Sequence, residues 1–371
     1  MPTPTPRLTE LHLRRLEVPL AVPYKLAFGP VRHFDTLLVE ARDDAGRVGW
    51  GEATVLTGYT DETVEGAWAF VRRRADELVS APAARIKARL LEEVGEAPFA
   101  VTALVTAIEM MEGDPLLARA APVRVPMLGL LNAEAPEAIA RELDALIARG
   151  FRTIKVKVGF DADADAARLR VIQRAAAGRV ALRVDGNQGY RLEDALRFAA
   201  ALDPAGIELF EQPCAAGDWD AACAVAKAAR VPMMVDESIY GLEDIRRTAE
   251  LGCARFVKVK LMKFGSLARL AEAIDLVRAL GMEPVLGNGV ACEIGCWMEA
   301  EIAAGRIGNA GEMNGYLKPA RPLLLNPPAF ESGAMRLEPG YRPRFDAGAL
   351  EAATREAHVA RARAAAHGTA G

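Results

Sequence analysis

Histidine is nearly absent from this sequence. The 371 residues include four histidines, His12, His33, His358 and His367, so the long stretch between the second and the third contains none. A Ser-His-Asp triad or a histidine zinc site needs histidine beside the other reactive groups. The sequence therefore argues against both kinds of site in the central part of the chain.

Cysteines are few and scattered. Two of the five, Cys292 and Cys296, stand four residues apart, but no second pair of cysteines or histidines completes a zinc-binding pattern. The N-terminus also lacks the apolar core of a secretion signal. We therefore expect reduced thiols in a cytoplasmic protein.

The sequence has neither an excess of positive charge nor a long apolar segment. Its net charge is −4, which argues against a nucleic-acid partner because nucleic acids bind basic surfaces. No apolar run approaches the roughly 18 residues that a membrane span needs. The expected partner is a small molecule, with no nucleic acid and no membrane.

From about residue 123 onward, short β-branched segments alternate with alanine-rich amphipathic segments. This alternation is typical of βαβ units with a parallel sheet. The predicted strands are 123–128, 153–158, 180–185, 207–211, 232–236, 255–260, 283–287 and 307–312. Such a series predicts a closed α/β barrel, in which chemistry takes place where the strands end.

The chain before residue 123 lacks this alternation. Its predicted strands and helices form an α+β domain, with strands over 11–18, 36–42 and 48–53 and helices over 61–79, 83–91 and 98–111. Beyond residue 326 the sequence predicts a short strand and an alanine-rich helix over 349–367.

Three acidic residues, Asp185, Glu211 and Asp236, end three consecutive predicted strands. Consecutive strands of a barrel are neighbours, so the three carboxylates form an adjacent arc. They would repel one another without a cation, and hard oxygen ligands favour Mg²⁺ over a transition metal. The sequence therefore predicts a Mg²⁺ site, with Asn187 and Glu237 as supporting residues beside the acids.

Two Lys-x-Lys pairs stand on the second and the sixth predicted strands. Alternation along a strand places Lys155 with Lys157 on one face, and Lys258 with Lys260 on one face. Strands two and six lie on opposite sides of an eight-stranded ring, so Lys157 and Lys260 face each other across the carboxylates. A charge within an apolar strand is costly unless it has a partner or a task. We interpret these two lysines as a catalytic acid/base pair.

This arrangement predicts removal of the proton α to a carboxylate. The resulting enediolate carries two negative charges, which a divalent cation offsets. The lysine that acts as base must be neutral, and burial beside Mg²⁺ and beside a second ammonium lowers the pKa of a lysine. We expect Lys155 to lower the pKa of Lys157, and Lys258 or Lys263 to lower that of Lys260.

The motifs around these residues resemble the enolase superfamily, and within it the muconate-lactonizing-enzyme subgroup. The matching segments are IKVKVG (154–159), RVDGNQGY (183–190), ELFEQP (208–213), VDES (235–238), VKLMKFGS (259–266) and GWGEA (49–53). The resemblance implies a (β/α)7β TIM-like barrel over 123–326 and an N-terminal α+β capping domain over 1–122. It also implies that the C-terminal segment, 327–371, returns to the capping domain.

The resemblance also implies roles for single residues. Asp185, Glu211 and Asp236 would be the Mg²⁺ ligands, and Lys157 and Lys260 the acid/base pair. A lysine base working with Mg²⁺ is an established feature of this superfamily rather than an inference from this sequence. The mandelate racemase pattern of the same superfamily needs a central histidine, which this chain lacks. A homo-oligomer is expected on family grounds.

Substrate choice in this family depends on the end of the eighth strand and on two capping-domain loops, here about 22–32 and 54–60. The residues expected to contact the substrate are Tyr24, Thr57, Tyr59, Asn288, Glu312 and Asn314. Dipeptide epimerases are expected to carry Asp-x-Asp at the eighth strand to hold the substrate ammonium. This chain has Glu312-Met313-Asn314 there, which keeps one acid and puts a dipeptide in doubt.

Several overall reactions share the same first step. Racemisation or epimerisation of an amino-acid derivative is the primary expectation, with β-elimination from a hydroxyproline-like acid and cycloisomerisation of a muconate as alternatives. A Schiff-base aldolase would also place a lysine at the sixth strand, but it has no need of three carboxylates. A binding protein without catalysis would be expected to have lost the site residues, which are all present.

Overall fold

The computed structural model describes residues 7–26 and 29–362. Within these ranges the chain forms a four-stranded sheet, a seven-stranded sheet and a three-stranded sheet. No helix in the same ranges combines the length and the hydropathy that crossing a bilayer requires.

The N-terminal part of the chain is an antiparallel sheet covered by helices. Its elements are β1 (Leu8–Leu26), β2 (Gly29–Asp43), β3 (Val48–Thr54), α1 (Val64–Leu78), α2 (Ala83–Leu91) and α3 (Pro98–Glu112). Apolar residues alternate along β1, so one face of the sheet is buried. Thr63 caps α1 by accepting a hydrogen bond from Gly66 N, and Pro98 occupies the first turn of α3.

The central part of the chain is a curled parallel sheet whose strands follow one another in sequence order. After β4 (Val123–Pro126), its elements are β5 (Gly129–Leu131), α4 (Pro136–Ala148), β6 (Thr153–Lys157), α5 (Ala162–Ala176), β7 (Ala181–Asp185), α6 (Leu192–Ala201), β8 (Ile207–Glu211), α7 (Trp219–Ala228), β9 (Met233–Val235), α8 (Leu242–Leu251), β10 (Phe256–Val259), α9 (Leu261–Phe264), α10 (Leu267–Ala279), β11 (Glu283–Leu286) and α11 (Glu293–Ala303). The predicted fold class, an α/β barrel preceded by an α+β domain, is confirmed.

The C-terminal part of the chain returns to the N-terminal sheet. Its elements are β12 (Ala329–Glu331), β13 (Ala334–Leu337), α12 (Ala347–Ala353) and β14 (Thr354–Arg361). The predicted helix over 349–367 is correct only as far as Ala353 and is wrong from Thr354 onward, because β14 pairs antiparallel with β1. Pairing with an exposed sheet edge outweighs the local helix propensity of this alanine-rich segment. Residues 363–367 of that prediction lie outside the described residues.

Two predicted barrel strands are wrong. Over 123–128 the chain changes sheets: β4 pairs antiparallel with β13, and the first barrel strand is β5. Alternation along a strand does not show which sheet the strand joins. Over 307–312 the structure has only an isolated parallel bridge between Met127 and Gly311, because Gly308 and Gly311 weaken a strand.

Backbone hydrogen bonds at this segment nevertheless complete the ring. Glu312 N donates to Leu286 O at 3.0 Å, and Leu128 N donates to Gly311 O at 2.9 Å. The segment therefore lies between β11 and the start of the barrel, where an eighth strand would be. Glu312 is consequently placed at the same end of the barrel as the other strand-end residues.

The segment GWGEA (49–53) joins the N-terminal part to the barrel. A Cβ at Gly49 or Gly51 would overlap backbone atoms of α3, so only glycine allows this close approach. Glu52 accepts hydrogen bonds from Cys292 N and from Ile294 N, the latter at 3.1 Å, at the start of α11. These bonds fix the N-terminal sheet against the barrel.

Candidate active site

The predicted acidic and basic residues meet at one end of the barrel. In the register of the parallel sheet, Lys157 pairs with Asp185, and Asp185 pairs with Glu211. Asp236 directly follows β9, and Lys260 caps the short helix α9 that follows β10. One cavity is lined by Lys157, Lys260, Asp185 and Asp236 together.

Lys157 lies on the β6 side of the cavity. Its Nζ donates to Asp185 Oδ2 at 2.6 Å and to Asn187 Oδ1 at 3.1 Å. The side chain is 40% exposed, which is far more than the other lysines of the site. Burial of the ammonium would lower the pKa of Lys157, but the Asp185 carboxylate outweighs it, and the pKa is raised.

Lys260 lies on the β10 side and is buried. Its Nζ contacts Asp236 Oδ2 at 2.8 Å and the Tyr59 hydroxyl, and it lies 4.6 Å from the centre of the Tyr59 ring. Burial would lower the pKa of Lys260, yet Asp236 and Tyr59 raise it well above its ordinary value. Lys263 Nζ contacts the other oxygen of Asp236 at 2.9 Å, so the two lysines share one carboxylate.

The raised pKa values correct one expectation from the sequence. Lys155 does act to lower the pKa of Lys157, as predicted, but the carboxylate beside each catalytic candidate has the larger effect. Lys258 and Lys263 both contact Asp236, the carboxylate that Lys260 contacts, at 3.7 and 2.9 Å, and burial lowers the pKa of Lys263 itself to about 8. Lys263, one of the two lysines that the sequence analysis named for this effect, lies on α9 just beyond the strand.

A buried ion cluster lies beneath the cavity. Lys155 Nζ is 2.6 Å from Glu312 Oε1 and 3.1 Å from Glu211 Oε2. Lys258 is completely buried and contacts Glu211 and, at 2.8 Å, Glu312 Oε1. Burial would raise the pKa of Glu312, but Lys155 and Lys258 outweigh it and hold the pKa well below its usual range. The positive charge of Lys258 therefore offsets part of the negative charge of Glu312 and Glu211.

Lysine ammonium groups contact all three predicted metal ligands in this structure. Lys155 Nζ lies 2.9 Å from Asp185 Oδ2, and Lys258 Nζ lies 3.7 Å from Asp236 Oδ2. Glu211 Oε2 is buried, and its contact with Lys155 Nζ at 3.1 Å is an ion pair without the geometry of a hydrogen bond. Carboxylate oxygens from three adjacent strands, one of them without a hydrogen bond, fit a hard dication such as Mg²⁺. The cations already in contact with them indicate that this position favours positive charge.

A second set of acidic residues also lies close together, but it has another role. Glu52, Glu293 and the Cys292 thiol are buried with their ligand atoms within 4.8 Å of one another. Glu52 accepts the backbone N–H groups at the start of α11, and Glu293 Oε1 accepts Leu323 N at 2.7 Å. Burial raises the pKa of Glu52 to about 8. These carboxyl groups satisfy backbone donors at the junction of sheet and barrel.

The supporting residues contact each other across the site. Asn187 accepts the hydrogen bond from Lys157 through its Oδ1 and donates through its Nδ2 to Glu237. Burial raises the pKa of Glu237 to about 7, and Asp236 adds to this effect. Asn187 thereby connects the β6 lysine to the acid that follows Asp236.

The structure brings four of the six predicted substrate-contacting residues to the cavity: Tyr59, Asn288, Glu312 and Asn314. Thr57 instead is exposed and donates to Glu62 O at 3.0 Å, and Leu56 takes its place in the lining. Tyr24 lies in β1, but its side chain is outside the described residues.

Sequence analysis did not identify Lys318, Leu130 and Val290, which also line the cavity. Lys318 belongs to no barrel strand, and its place becomes apparent only from the chain path after Glu312. Leu130 lies on β5, and it was missed because the first barrel strand was predicted at the wrong position.

Glu299 holds the cavity residue Asn288 in position. The burial of the Glu299 carboxyl group can be tested through the pH dependence of stability. Its carboxylate accepts a hydrogen bond from Asn288 Nδ2 at 2.5 Å, and burial raises its pKa to about 8. The folded protein thus keeps a proton that the unfolded chain loses above a pH of about 4.3. The free energy of unfolding contributed by this group therefore falls as the pH rises from about 5 to 8.

We expect Glu299→Gln to remove that decrease. Between about pH 6 and pH 8 the loss of stability of the wild-type protein should exceed that of the variant by about 2 kcal/mol. Urea denaturation at both pH values measures the difference, with Glu272→Gln on the exposed face of α10 as the control. Equal pH dependence in wild type and Glu299→Gln would mean that Glu299 is ionised in the folded protein.

Comparisons with known proteins cover both parts of the fold. Residues 8–128 match a family model described as the N-terminal domain of mandelate racemase / muconate lactonizing enzyme. Residues 138–342 match a model described as enolase C-terminal domain-like.

Similar proteins of known name include several epimerases. An aromatic dipeptide epimerase from Herpetosiphon aurantiacus is 31% identical, over 79% of this chain and 85% of its own length. The L-Ala-D/L-Glu epimerase of Bacillus subtilis is 28% identical, over 81% of this chain and 86% of its own. A solved dipeptide epimerase from Cytophaga hutchinsonii, complexed with Mg and the dipeptide D-Ala-L-Val, superimposes with a TM-score of 0.86. That match covers 95% of this chain and 99% of the other at 21% identity, so it supports the fold alone.

Proposed function

This chain belongs to the mandelate racemase/muconate lactonizing enzyme family of the enolase superfamily, and we propose that it is a Mg²⁺-dependent racemase or epimerase of an amino-acid derivative. The reaction would remove the proton α to the substrate carboxylate and return it on the opposite face. The observation that carries the proposal is that Lys157 and Lys260 line one cavity from strands separated by three others, with Asp185 and Asp236 beside them.

Asp185, Glu211 and Asp236 would hold the metal ion. Bound there, Mg²⁺ supplies positive charge for the substrate carboxylate and for the negative charge that develops on it. The donor set here consists of carboxylates, whose hard oxygen atoms Mg²⁺ prefers. The ammonium groups of Lys155 and Lys258, which contact the same carboxylates, keep those side chains directed toward the centre of the barrel.

Lys157 and Lys260 would divide the proton transfer between them. One lysine, in its neutral form, takes the α-proton, and the other, as an ammonium, donates a proton from the opposite side. A second proton donor on the opposite face is what inversion requires and what a one-base isomerisation lacks. Asn187 orients the Lys157 amine through its Oδ1, and the Tyr59 hydroxyl contacts the Lys260 amine.

The charge at the site agrees with this assignment. Six lysines (155, 157, 258, 260, 263 and 318) line the cavity or lie beneath it with five acids (185, 211, 236, 237 and 312). A dication, a substrate with one carboxylate and one lysine that has lost its proton would together add no net charge. A buried site tolerates that exchange far better than the addition of uncompensated charge.

Solvent exchange tests the proposal. The protein is incubated in D₂O with Mg²⁺ and a panel of N-acylated amino acids, dipeptides, proline derivatives and muconates, and the α-proton is followed by NMR. We expect loss of the α-proton signal together with inversion at that carbon. EDTA should suppress both the exchange and the inversion. Loss of a β-substituent or ring closure in place of inversion would assign the alternative reactions instead.

Two further outcomes would contradict the proposal. Exchange that survives EDTA, together with covalent trapping of a carbonyl substrate by borohydride, would indicate a Schiff-base aldolase. Absence of both exchange and Mg²⁺ binding would indicate a binding protein.

A further inference from the structure

Asn288 lies two residues beyond β11 and lines the cavity beside Lys260. The residue before it, Gly287, has no room for a side chain, because a Cβ there would lie 2.7 Å from Lys260 Cε. The backbone therefore passes directly against the Lys260 side chain before Asn288 reaches the cavity. A polar amide is thus placed next to one of the two proposed acid/base lysines.

The amide nitrogen of Asn288 is held away from the cavity. Nδ2 lies 2.5 Å from Glu299 Oε2 and 3.5 Å from Cys296 Sγ. The Cys296 thiol donates to Ala291 O at 3.4 Å, so its sulfur is left as an acceptor for the amide. Glu299 and Cys296 both belong to α11, and neither lines the cavity. Two acceptors on α11 therefore fix the nitrogen on that side.

The carbonyl oxygen of the same amide is left for the cavity. No residue within the described ranges donates a hydrogen bond to Asn288 Oδ1. Asn314 in the same cavity differs, because its Oδ1 accepts from Lys318 Nζ and its Nδ2 lies 3.3 Å from Leu128 O. An acceptor at a cavity wall takes its hydrogen bond from water or from a ligand. Asn288 Oδ1 is therefore available to a donor on the substrate.

Glu299 connects this amide to the segment that carries Lys260. Its Oε1 accepts from Leu261 N at 3.4 Å, while its Oε2 accepts from Asn288 Nδ2. The side chain is buried, so water does not compete for these bonds. A protonated carboxyl group keeps a carbonyl oxygen that can accept from the amide. One carboxyl group thus fixes the separation between the substrate-facing amide and the backbone beside Lys260.

The geometry of the proposed reaction explains what such an acceptor would do. The α-proton leaves readily only when its bond stands perpendicular to the plane of the substrate carboxylate, so that the enediolate can form. A contact to the carboxylate alone leaves rotation about the adjoining carbon–carbon bond free. A second contact, to the atom bonded to the α-carbon, stops that rotation. An uncharged amide oxygen suits an N–H group at that atom.

We infer that Asn288 is a specificity-determining residue, whose Oδ1 accepts a hydrogen bond from an N–H group bonded to the α-carbon of the substrate. Glu299 is the positioning residue that keeps this oxygen turned toward the cavity. The contact selects substrates that carry such a donor and disfavours acids without one, such as muconates. This inference rests on the proposed function, because it concerns the same reaction at the same site.

A pair of compounds that differ in one group tests the inference. The amide is the N-acylated amino acid or dipeptide that the wild type exchanges fastest, beginning with N-acetyl-L-alanine. The ester has an oxygen in place of the N–H group, as in O-acetyl-L-lactate. The measurement is the ratio of kcat/KM for α-proton exchange of the two compounds in D₂O with Mg²⁺. The proteins are the wild type, Asn288→Ala, Glu299→Gln and the control Asn132→Ala, whose exposed side chain follows β5 and does not line this cavity.

We expect the wild type to prefer the amide over the ester at least about 10-fold, because a site built to accept a hydrogen bond rejects the analogue that lacks the donor. Asn288→Ala should reduce that ratio at least about 10-fold, through both kcat and KM. Glu299→Gln should also reduce it, because a glutamine can donate to Asn288 Oδ1 and release the amide from its orientation. Asn132→Ala should leave the ratio unchanged. A purely structural role of Glu299 would slow both compounds equally and leave the ratio as it is.

Three results would overturn the inference. The first is a wild type that exchanges the ester as fast as the amide. This result counts even if the variants fail to fold, since an ester oxygen makes the α-proton no less acidic than an amide nitrogen does. The second is a ratio that Asn288→Ala leaves intact, and the third is exchange confined to compounds without an N–H group. Failure of the proposed function is distinct, because no compound of the panel would then exchange its α-proton.

Discussion

Replacing either Lys157 or Lys260 by alanine is expected to abolish inversion at the α-carbon, with a fall in rate of about 10³-fold or more, because general acid/base groups contribute about 10² to 10⁴ each and inversion needs both. The two variants should differ in the α-proton exchange that they retain. Each keeps one lysine, so each should still exchange the α-proton of the one stereoisomer that presents it to that lysine. Proton NMR in D₂O measures the exchange, and polarimetry measures the inversion.

The contrast between the two variants is the informative part of this experiment. Lys227→Ala, in the last turn of α7, is the matched control for loss of a lysine and should behave as the wild type. Circular dichroism confirms that each variant is folded, since Lys157 and Lys260 both neutralise a carboxylate. Inversion that persists in either variant, or exchange of the same stereoisomer by both, would contradict a two-lysine mechanism.

Glu211→Gln is expected to weaken Mg²⁺ binding at least about 100-fold, because even partners outside the coordination shell of a metal typically contribute 10- to 100-fold. Turnover should fall in parallel when Mg²⁺ is limiting. The substitution preserves the size of a side chain that is completely buried on β8, so packing changes little. It removes a charge that Lys155 and Lys258 contact, and some loss of stability is expected as well.

Thermal unfolding with and without Mg²⁺ separates these effects. A ligand that binds only the folded state raises the unfolding temperature, so Mg²⁺ should stabilise the wild type and leave Glu211→Gln almost unaffected. The matched control is Glu208→Gln, on the same strand, whose carboxylate contacts Arg183 at 3.0 Å instead of the lysine cluster. If Glu211→Gln retained the thermal shift of the wild type, Glu211 would not be a metal ligand.

Much of the site was predictable because periodic strands fix which residues share a face. Lys155 and Lys157, and the three acids at consecutive strand ends, converge wherever seven parallel strands follow in order. The barrel and the preceding α+β domain were predicted from the pattern of strands and helices, the family was predicted from its motifs, and all three are confirmed. The roles of the individual residues remain predictions until the experiments above are done.

Two of the three wrong predictions share a physical cause. The segment 123–128 and the C-terminal segment were each assigned from their local sequence pattern. In both cases the structure that forms depends on pairing with a strand distant in the sequence. An alanine-rich stretch becomes β14 because the edge of β1 offers hydrogen bonds that an isolated helix turn cannot match. Local propensity is a weak preference compared with such pairing.

The sequence by itself determined the chemistry available here: carboxylates and lysines in strand order, without histidine. That much follows from the two-residue period of a strand and from the order of strands in a barrel. Only the tertiary structure decided which cation contacts which anion. It paired Glu312 with Lys155 and Lys258, and it brought Lys318 from a loop to the cavity. Electrostatic interactions depend on distances of a few ångströms between residues far apart in the chain, and those distances exist only in the folded protein.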